Sequence, residues 1–171
     1  MSPAAVPSLS IAVGVVVERR KADSPWVDFI WRGIAVLPDE PSTQAWTVLR
    51  EQDGTTLFYA GSATIDLYPS ETARYRDNLA SGRPSIWTVL SPSEGAWPYA
   101  VTAVTADPAE GEGFTEAADN LVESVPMPEV LREAIESFVA EHHVEREFVK
   151  RERRRADPEA LARREHEGGQ E

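Results

Sequence analysis

The chain has 171 residues, 42% of them hydrophobic and five of them tryptophan, which is enough for one folded domain and excludes a wholly disordered protein. It contains no cysteine, which excludes disulfides, thiolate metal sites and a cysteine nucleophile. The net charge of −12 lies within residues 1–144, because residues 145–171 carry eight acids and eight bases. An acidic domain repels phosphate backbones, which argues against a nucleic-acid partner.

The first part of the chain has the patterns of β-strands. Residues 11–17 are β-branched and apolar on both alternating faces, which predicts a central strand covered on two sides. Asp53-Gly54 predicts a hairpin turn between strands at residues 46–50 and 56–59. Alternation over residues 26–37 predicts a long, half-buried strand, with one face formed by Val27, Phe29, Trp31, Ala35 and Leu37.

A short helix is expected after a further strand at residues 64–68. Ser70 is the predicted N-cap, and Gly82 is the predicted stop. Tyr75 and Leu79 are one helical turn apart, so they stack on the same face. The helix is therefore expected to pack through these two side chains.

The last part of the chain mixes strands, an irregular segment and a helix. Residues 107–120 begin with Asp-Pro, which favours a helix start, but Gly111 and Gly113 disfavour a helix, so we expect one helical turn. Further strands are expected at residues 86–90, 99–106 and 121–125. An amphipathic helix is expected at residues 128–141, and its apolar side is formed by two rows, Val130/Ala134/Phe138 and Leu131/Ile135/Val139.

These elements predict an α+β fold, a curved and mostly antiparallel sheet of six to eight strands with one short helix and a C-terminal helix packed on it. Residues 1–10 are expected to be a flexible N-terminus, residues 11–144 a single domain, and residues 145–171 a charged, disordered tail. The apolar run at residues 11–17 is too short to span a bilayer, and the N-terminus lacks the basic region of a signal peptide. We therefore expect a cytoplasmic protein without a membrane partner.

Two basic segments are candidate partner-binding sites. A flexible arm that joins aromatic and basic residues can bind a macromolecule and become ordered on it, and Arg presents a fork suited to carboxylate or phosphate. The binding residues are expected to be Phe148, Lys150, Arg151, Arg153 and Arg154 in the arm, and Arg19 and Arg20 in a second patch. Protein–protein binding is the leading hypothesis.

Two other functions stay open. Arg19 and Arg20 together with an exposed tryptophan could hold an anionic pterin or nucleotide. Carboxylates at residues 107–123 could support catalysis, although no nucleotide-binding or hydrolase motif is present. His142 and His143 are adjacent and would point about 100° apart on a helix, so a shared metal is not expected.

Several segments together resemble a small proteobacterial family, domain of unknown function 3305, whose genes are met near those of molybdenum-dependent formate dehydrogenase. The similar segments span residues 11–151 and include Val17-Glu18-Arg19-Arg20-Lys21, Ser24-Pro25-Trp26, Tyr59-Ala60-Gly61, Val125-Pro126-Met127-Pro128 and His142-His143-Val144.

The resemblance implies an accessory role rather than turnover. A protein of this family would help a cytoplasmic molybdoenzyme fold, receive its molybdenum cofactor or assemble its subunits. Its partner would be formate dehydrogenase or a maturation protein of that enzyme. No catalytic residue, cofactor or metal ligand is carried over to this chain.

Overall fold

Two antiparallel β-sheets form the fold in the computed structural model, which describes residues 6–39, 41–117 and 119–143. The larger sheet contains four strands, β1 (Leu9–Lys21), β2 (Phe29–Leu37), β3 (Thr47–Gln52) and β4 (Thr55–Leu67), in the order β2-β1-β4-β3. The smaller sheet contains β5 (Ser85–Pro92), β6 (Tyr99–Thr105) and β7 (Leu121–Pro126), in the order β6-β5-β7.

Three α-helices accompany the sheets in the described residues. They are α1 (Thr72–Ala80), α2 (Pro108–Gly113) and α3, which covers residues 129–143. Short 3₁₀ turns at Pro69–Glu71 and Phe114–Glu116 adjoin α1 and α2. None of the helices in the described ranges is long and apolar enough to cross a membrane.

The hydrophobic core lies between the two sheets. The sheets contact each other where β2 lies beside β7 and where β4 lies beside β6. Val13, Val15 and Val17 of the central strand β1 are fully buried, as predicted, and belong to one cluster with Ile86 and Leu90 of β5. Each such side chain contributes roughly 1.5–3 kcal/mol through burial. The expected α+β class with antiparallel strands is confirmed, and its seven strands divide between two sheets.

The helix α3 covers this core with one face. Leu131, Ile135 and Phe138 are buried, which agrees with the amphipathic pattern. Val130 is 62% exposed, so its predicted place in an inner row is wrong. The first turn of the helix directs this position to solvent.

The tight turn between β3 and β4 is confirmed. Asp53 and Gly54 have φ values of 51° and 79°, the left-handed pair that a two-residue hairpin needs. The two strands expected at residues 56–59 and 64–68 are parts of the single strand β4. Gly61, with φ of 136°, lies in β4 where the pairing with β1 shifts register.

A bulge in β2 overturns its predicted face. Ile34 lies between Gly33, which pairs with Val17, and Ala35, which pairs with Val16, so one extra residue is inserted. A bulge of one residue moves the following side chains to the opposite face. The prediction of one continuous face is therefore wrong, since Trp31 and Gly33 lie on one side and Ala35 and Leu37 on the other.

The expected Ser cap of α1 is also wrong. Glu71 occupies the N-cap position of α1 and Tyr68 that of the preceding 3₁₀ turn, both without a side-chain cap hydrogen bond, and the Ser70 hydroxyl donates to the Glu71 carboxylate. Gly82, with φ of 84°, follows the end of the helix as predicted. The helix is held by its buried face, where the Tyr75 hydroxyl accepts a hydrogen bond of 3.0 Å from the Tyr68 N–H.

Candidate functional site

The end of β1 brings a cation into contact with aromatic rings. Arg19 pairs with Trp31 of β2 and with Thr56 of β4, and directly paired residues in an antiparallel sheet share a face. Arg20 is the next residue along the strand, so it lies on the opposite face, where it is exposed. The structure therefore separates the two arginines that were predicted to form one patch.

The Arg19 guanidinium lies over three rings. Its central carbon is 4.5 Å from the ring centroid of Phe29, 5.1 Å from that of Phe58 and 5.6 Å from that of Trp31. Contacts within about 6 Å of a centroid are attractive, at roughly 0.5–1 kcal/mol each where water has access. These contacts hold the partly buried side chain over the rings.

Further aromatic rings extend this cluster. Trp97 stacks on Trp46 with a centroid distance of 5.2 Å and an interplanar angle of 18°. Trp97 also meets Phe58 edge to face at 5.1 Å, and Tyr99 lies 6.2 Å from Trp31. The segment between β5 and β6 thus supplies Trp97 to the site.

Trp46 has an unusual backbone conformation. Its φ of 67° lies in the left-handed region, which costs an L-residue other than glycine roughly 1–2 kcal/mol. Its ring contacts Trp31, Phe58 and Trp97 at centroid distances of 5.8, 5.6 and 5.2 Å. The aromatic packing therefore offsets the strain at the entry to β3.

An open cleft of about 500 Å³ lies on this cluster. Its lining is aromatic and apolar apart from Arg19 and Asp28, and it is formed by Arg19, Val27, Asp28, Phe29, Trp31, Ala96, Trp97, Pro98 and Tyr99. The volume is within the range of ligand sites, but the cleft is open along one side. It can accept a ring or a side chain together with an anion.

The loop between β1 and β2 forms an exposed rim next to the cleft. Trp26 is 90% exposed and Val27 51%, and Phe29, the first residue of β2, is 38% exposed. The other four tryptophans are partly buried. The strand predicted to begin at Trp26 thus starts later, and the apolar residues before it lie at the surface.

The predicted basic arm falls on a different part of the chain. Phe148, Lys150, Arg151, Arg153 and Arg154 lie outside the described residues. Their role as partner-binding residues stays a prediction. Of the two predicted partner-binding residues that the structure describes, Arg19 lines the aromatic cleft and Arg20 does not.

Asp107, the first of the candidate catalytic carboxylates at residues 107–123, has contacts within the fold. It is buried and caps α2, since its side chain accepts hydrogen bonds from the N–H groups of Ala109 and Glu110. Its other carboxylate oxygen lies 3.2 Å from Arg74 Nη1. Asp107 therefore fixes α2 against α1.

Two other ionisable groups near Asp107 are perturbed by burial. Burial raises the pKa of the Glu110 carboxyl, and a hydrogen bond with Thr105 partly opposes the rise. Burial raises the pKa of Tyr75 to about 12, although its hydrogen bond with the Tyr68 backbone acts in the opposite direction. These groups lie away from the aromatic cleft and support the packing of α1 and α2.

The two histidines at the end of α3 diverge, as expected for neighbours on a helix. The ring of His142 packs on Phe138 with a centroid distance of 4.3 Å. The ring of His143 reaches α1, with Nε2 2.9 Å from Arg76 Nη1. Across the described ranges, no group of three or more His, Asp or Glu side chains is placed to hold a metal ion.

The fold and site together define an α+β domain of two antiparallel sheets with an arginine held in an open aromatic cleft. The chain belongs to the family described as Protein of unknown function (DUF3305), whose family model matches residues 12–153. This match confirms the family named by the resemblance of its sequence segments. No curated protein and no solved structure matches the chain.

Proposed function

We propose that the protein is a non-catalytic accessory factor that binds a partner protein through the aromatic cleft and the loop between β1 and β2. The observation that carries this function is the exposed apolar rim, in which Trp26 is 90% exposed and Val27 51%. Contiguous apolar residues at a surface mark interaction sites, and Trp and Arg supply much of the binding free energy of protein interfaces.

The family resemblance supplies the partner for this proposal. The gene context attributed to the family points to a molybdenum-dependent formate dehydrogenase in the cytoplasm, or to one of its maturation proteins. The accessory factor would hold that enzyme during folding, subunit assembly or insertion of the molybdenum cofactor. Such a role needs a binding surface and no reaction centre of its own.

The basic arm is a second proposed contact. Phe148 and the cations from Lys150 to Arg154 follow α3, whose outer face carries carboxylates at Glu129, Glu133 and Glu136. Opposite charges on adjacent segments can orient a partner during encounter, and the effect weakens with salt. We therefore expect the arm to change the association rate more than the rim does.

Affinity purification of the full chain from its native host tests this function. Formate dehydrogenase or its maturation proteins should be enriched with the full chain and lost with Trp26→Ser, because this change removes the most exposed aromatic side chain of the rim. Val130→Ser is a matched control, since Val130 is 62% exposed on α3 and outside the rim. A chain ending at Val144 measures the contribution of the arm. Equal recovery of the partner with Trp26→Ser and Val130→Ser would contradict the proposed surface.

A small-ligand function is the second candidate, and the cleft of about 500 Å³ favours it. An anionic pterin or nucleotide could stack on Trp97 while Arg19 binds its charge. Because Trp31 and Trp97 line the cleft, their fluorescence should change on titration with such a ligand. No change with any pterin or nucleotide would remove this candidate.

A further inference from the structure

Arg19 differs from three other arginines of the domain in its electrostatic surroundings. Arg32 pairs with Glu18 at 3.3 Å, Arg74 with Asp107 at 3.2 Å and Arg132 with Glu136 at 3.0 Å. Within the described part of the chain, Arg19 makes no ion pair, and its one polar side-chain contact is Thr56 Oγ1 at 3.5 Å. That distance is too long for a strong hydrogen bond.

The donors of this guanidinium are therefore available to a bound group. Arginine has five N–H donors in a planar fork and stays protonated at any physiological pH. The three aromatic rings contact the guanidinium but accept no conventional hydrogen bond from it. No side-chain nitrogen or oxygen in the described residues is both fully buried and without a partner, so the unsatisfied Arg19 donors are open to solvent.

We propose that Arg19 is the receptor for a carboxylate of the partner protein, presented by an Asp or Glu side chain next to a large apolar side chain. This inference rests on the proposed protein-binding function and names the chemistry of the segment that the cleft accepts. The planar fork matches a carboxylate, and the rings around it provide the apolar contact. Lys21, on the same face of β1, adds a second positive charge.

Asp28 limits which partner segments can bind in the cleft. Its carboxylate also lines the cleft, so it repels a run of several acids and can accept hydrogen bonds from backbone N–H groups of the bound segment. A single acid within an apolar sequence fits this arrangement best. The exposed Trp26, next to Val27 in the loop, continues the apolar surface beyond the cleft, which suits a chain segment rather than an isolated ring.

The test uses the full chain with isotope-labelled tryptophan and two blocked peptides, acetyl-Leu-Phe-Asp-Leu-amide and acetyl-Leu-Phe-Asn-Leu-amide. Blocked ends leave Asp as the only carboxylate in the probe. NMR signals of the indole N–H groups of Trp31 and Trp97 should shift with the Asp peptide. The indole of Trp87, which packs against Gly111 outside the cleft, is the internal reference.

We expect the Asn peptide to bind about tenfold more weakly than the Asp peptide, because a charge-assisted bond is lost. Arg19→Met should weaken the binding of the Asp peptide by a similar factor and remove the preference for Asp over Asn. Arg19→Lys should keep part of that preference, since the charge remains but the planar fork is lost. Arg20→Met is the matched control and should leave binding unchanged, because Arg20 lies on the other face.

Equal binding of the two peptides, no shift of the Trp31 and Trp97 signals, or an Asp preference that persists in Arg19→Met would each overturn the inference. The peptide comparison needs no variant, so a folding defect in Arg19→Met cannot hide the answer. Failure here with an intact Trp26-dependent co-purification would leave the proposed function standing. An Asp preference without any co-purifying partner would refute the proposed function alone.

Discussion

The two glycines of α2 should respond in opposite ways to the same substitution. A Cβ at Gly111 would lie 2.4 Å from Cγ, 2.6 Å from Cδ1 and 2.8 Å from Cβ of Trp87, so Gly111→Ala must displace an indole within the packed domain. Overpacking of this kind costs about 1–3 kcal/mol, which exceeds the gain of roughly 0.8–1 kcal/mol from helix propensity. At Gly113 a Cβ would meet nothing within 4 Å and φ is −58°, so Gly113→Ala should stabilise by about 0.4–1 kcal/mol.

Urea unfolding at constant temperature, followed by far-UV circular dichroism, measures the free energy of unfolding of each variant relative to the unchanged protein. We expect Gly113→Ala to be the more stable variant by about 0.5–3 kcal/mol, the sum of a net loss of about 0–2 kcal/mol at Gly111 and a gain of about 0.4–1 kcal/mol at Gly113. Gly111→Ala should cost less in a Trp87→Ala background than in the unchanged protein, because that truncation removes Cγ and Cδ1, the two atoms nearest the added methyl group. Equal stability of the two single variants would refute the steric argument.

Three further predictions concern stability. Asn78→Ala should cost about 3 kcal/mol in urea unfolding, because the buried side chain makes three hydrogen bonds of 2.8, 3.0 and 3.0 Å to backbone atoms. Gly54→Ala should cost about 1–2 kcal/mol since φ is 79°, whereas Asp53→Asn should be close to neutral by the same measurement. The raised pKa means that Glu110 binds its proton more tightly in the folded than in the unfolded state. The free energy of unfolding should therefore fall as the pH rises from about 4.5 through the raised pKa. Urea titrations at several pH values should show that Glu110→Gln removes this fall.

The features predicted correctly from the sequence are those with a local cause. Asp53-Gly54 specifies a turn by its own φ preferences, and β1 was recognised because both of its faces are apolar. The α3 helix followed from the spacing of Leu131 and Ile135. In each case the residues that define the element are also the residues that stabilise it.

The features that were missed depend on pairing between distant strands. The bulge at Ile34 has no local signature, yet it decides which residues of β2 face the core. Arg19 and Arg20 looked equivalent because the pattern did not show that β1 continues to Lys21 and carries them on opposite faces. Trp97 joined the site through contacts with Trp46 and Phe58, which the chain order does not bring together.

The aromatic rings give Arg19 a property that an exposed arginine lacks. Ordering a long charged side chain on binding costs roughly 0.5–1.5 kcal/mol, and the rings already confine this one in the unbound domain. A carboxylate that reaches the cleft would meet a fork that is oriented and only partly hydrated, so less of the interaction free energy is lost to ordering and desolvation. The same rings would contact the apolar neighbour of that carboxylate. Selectivity for an acid beside an apolar side chain therefore follows from one arginine and the rings that hold it.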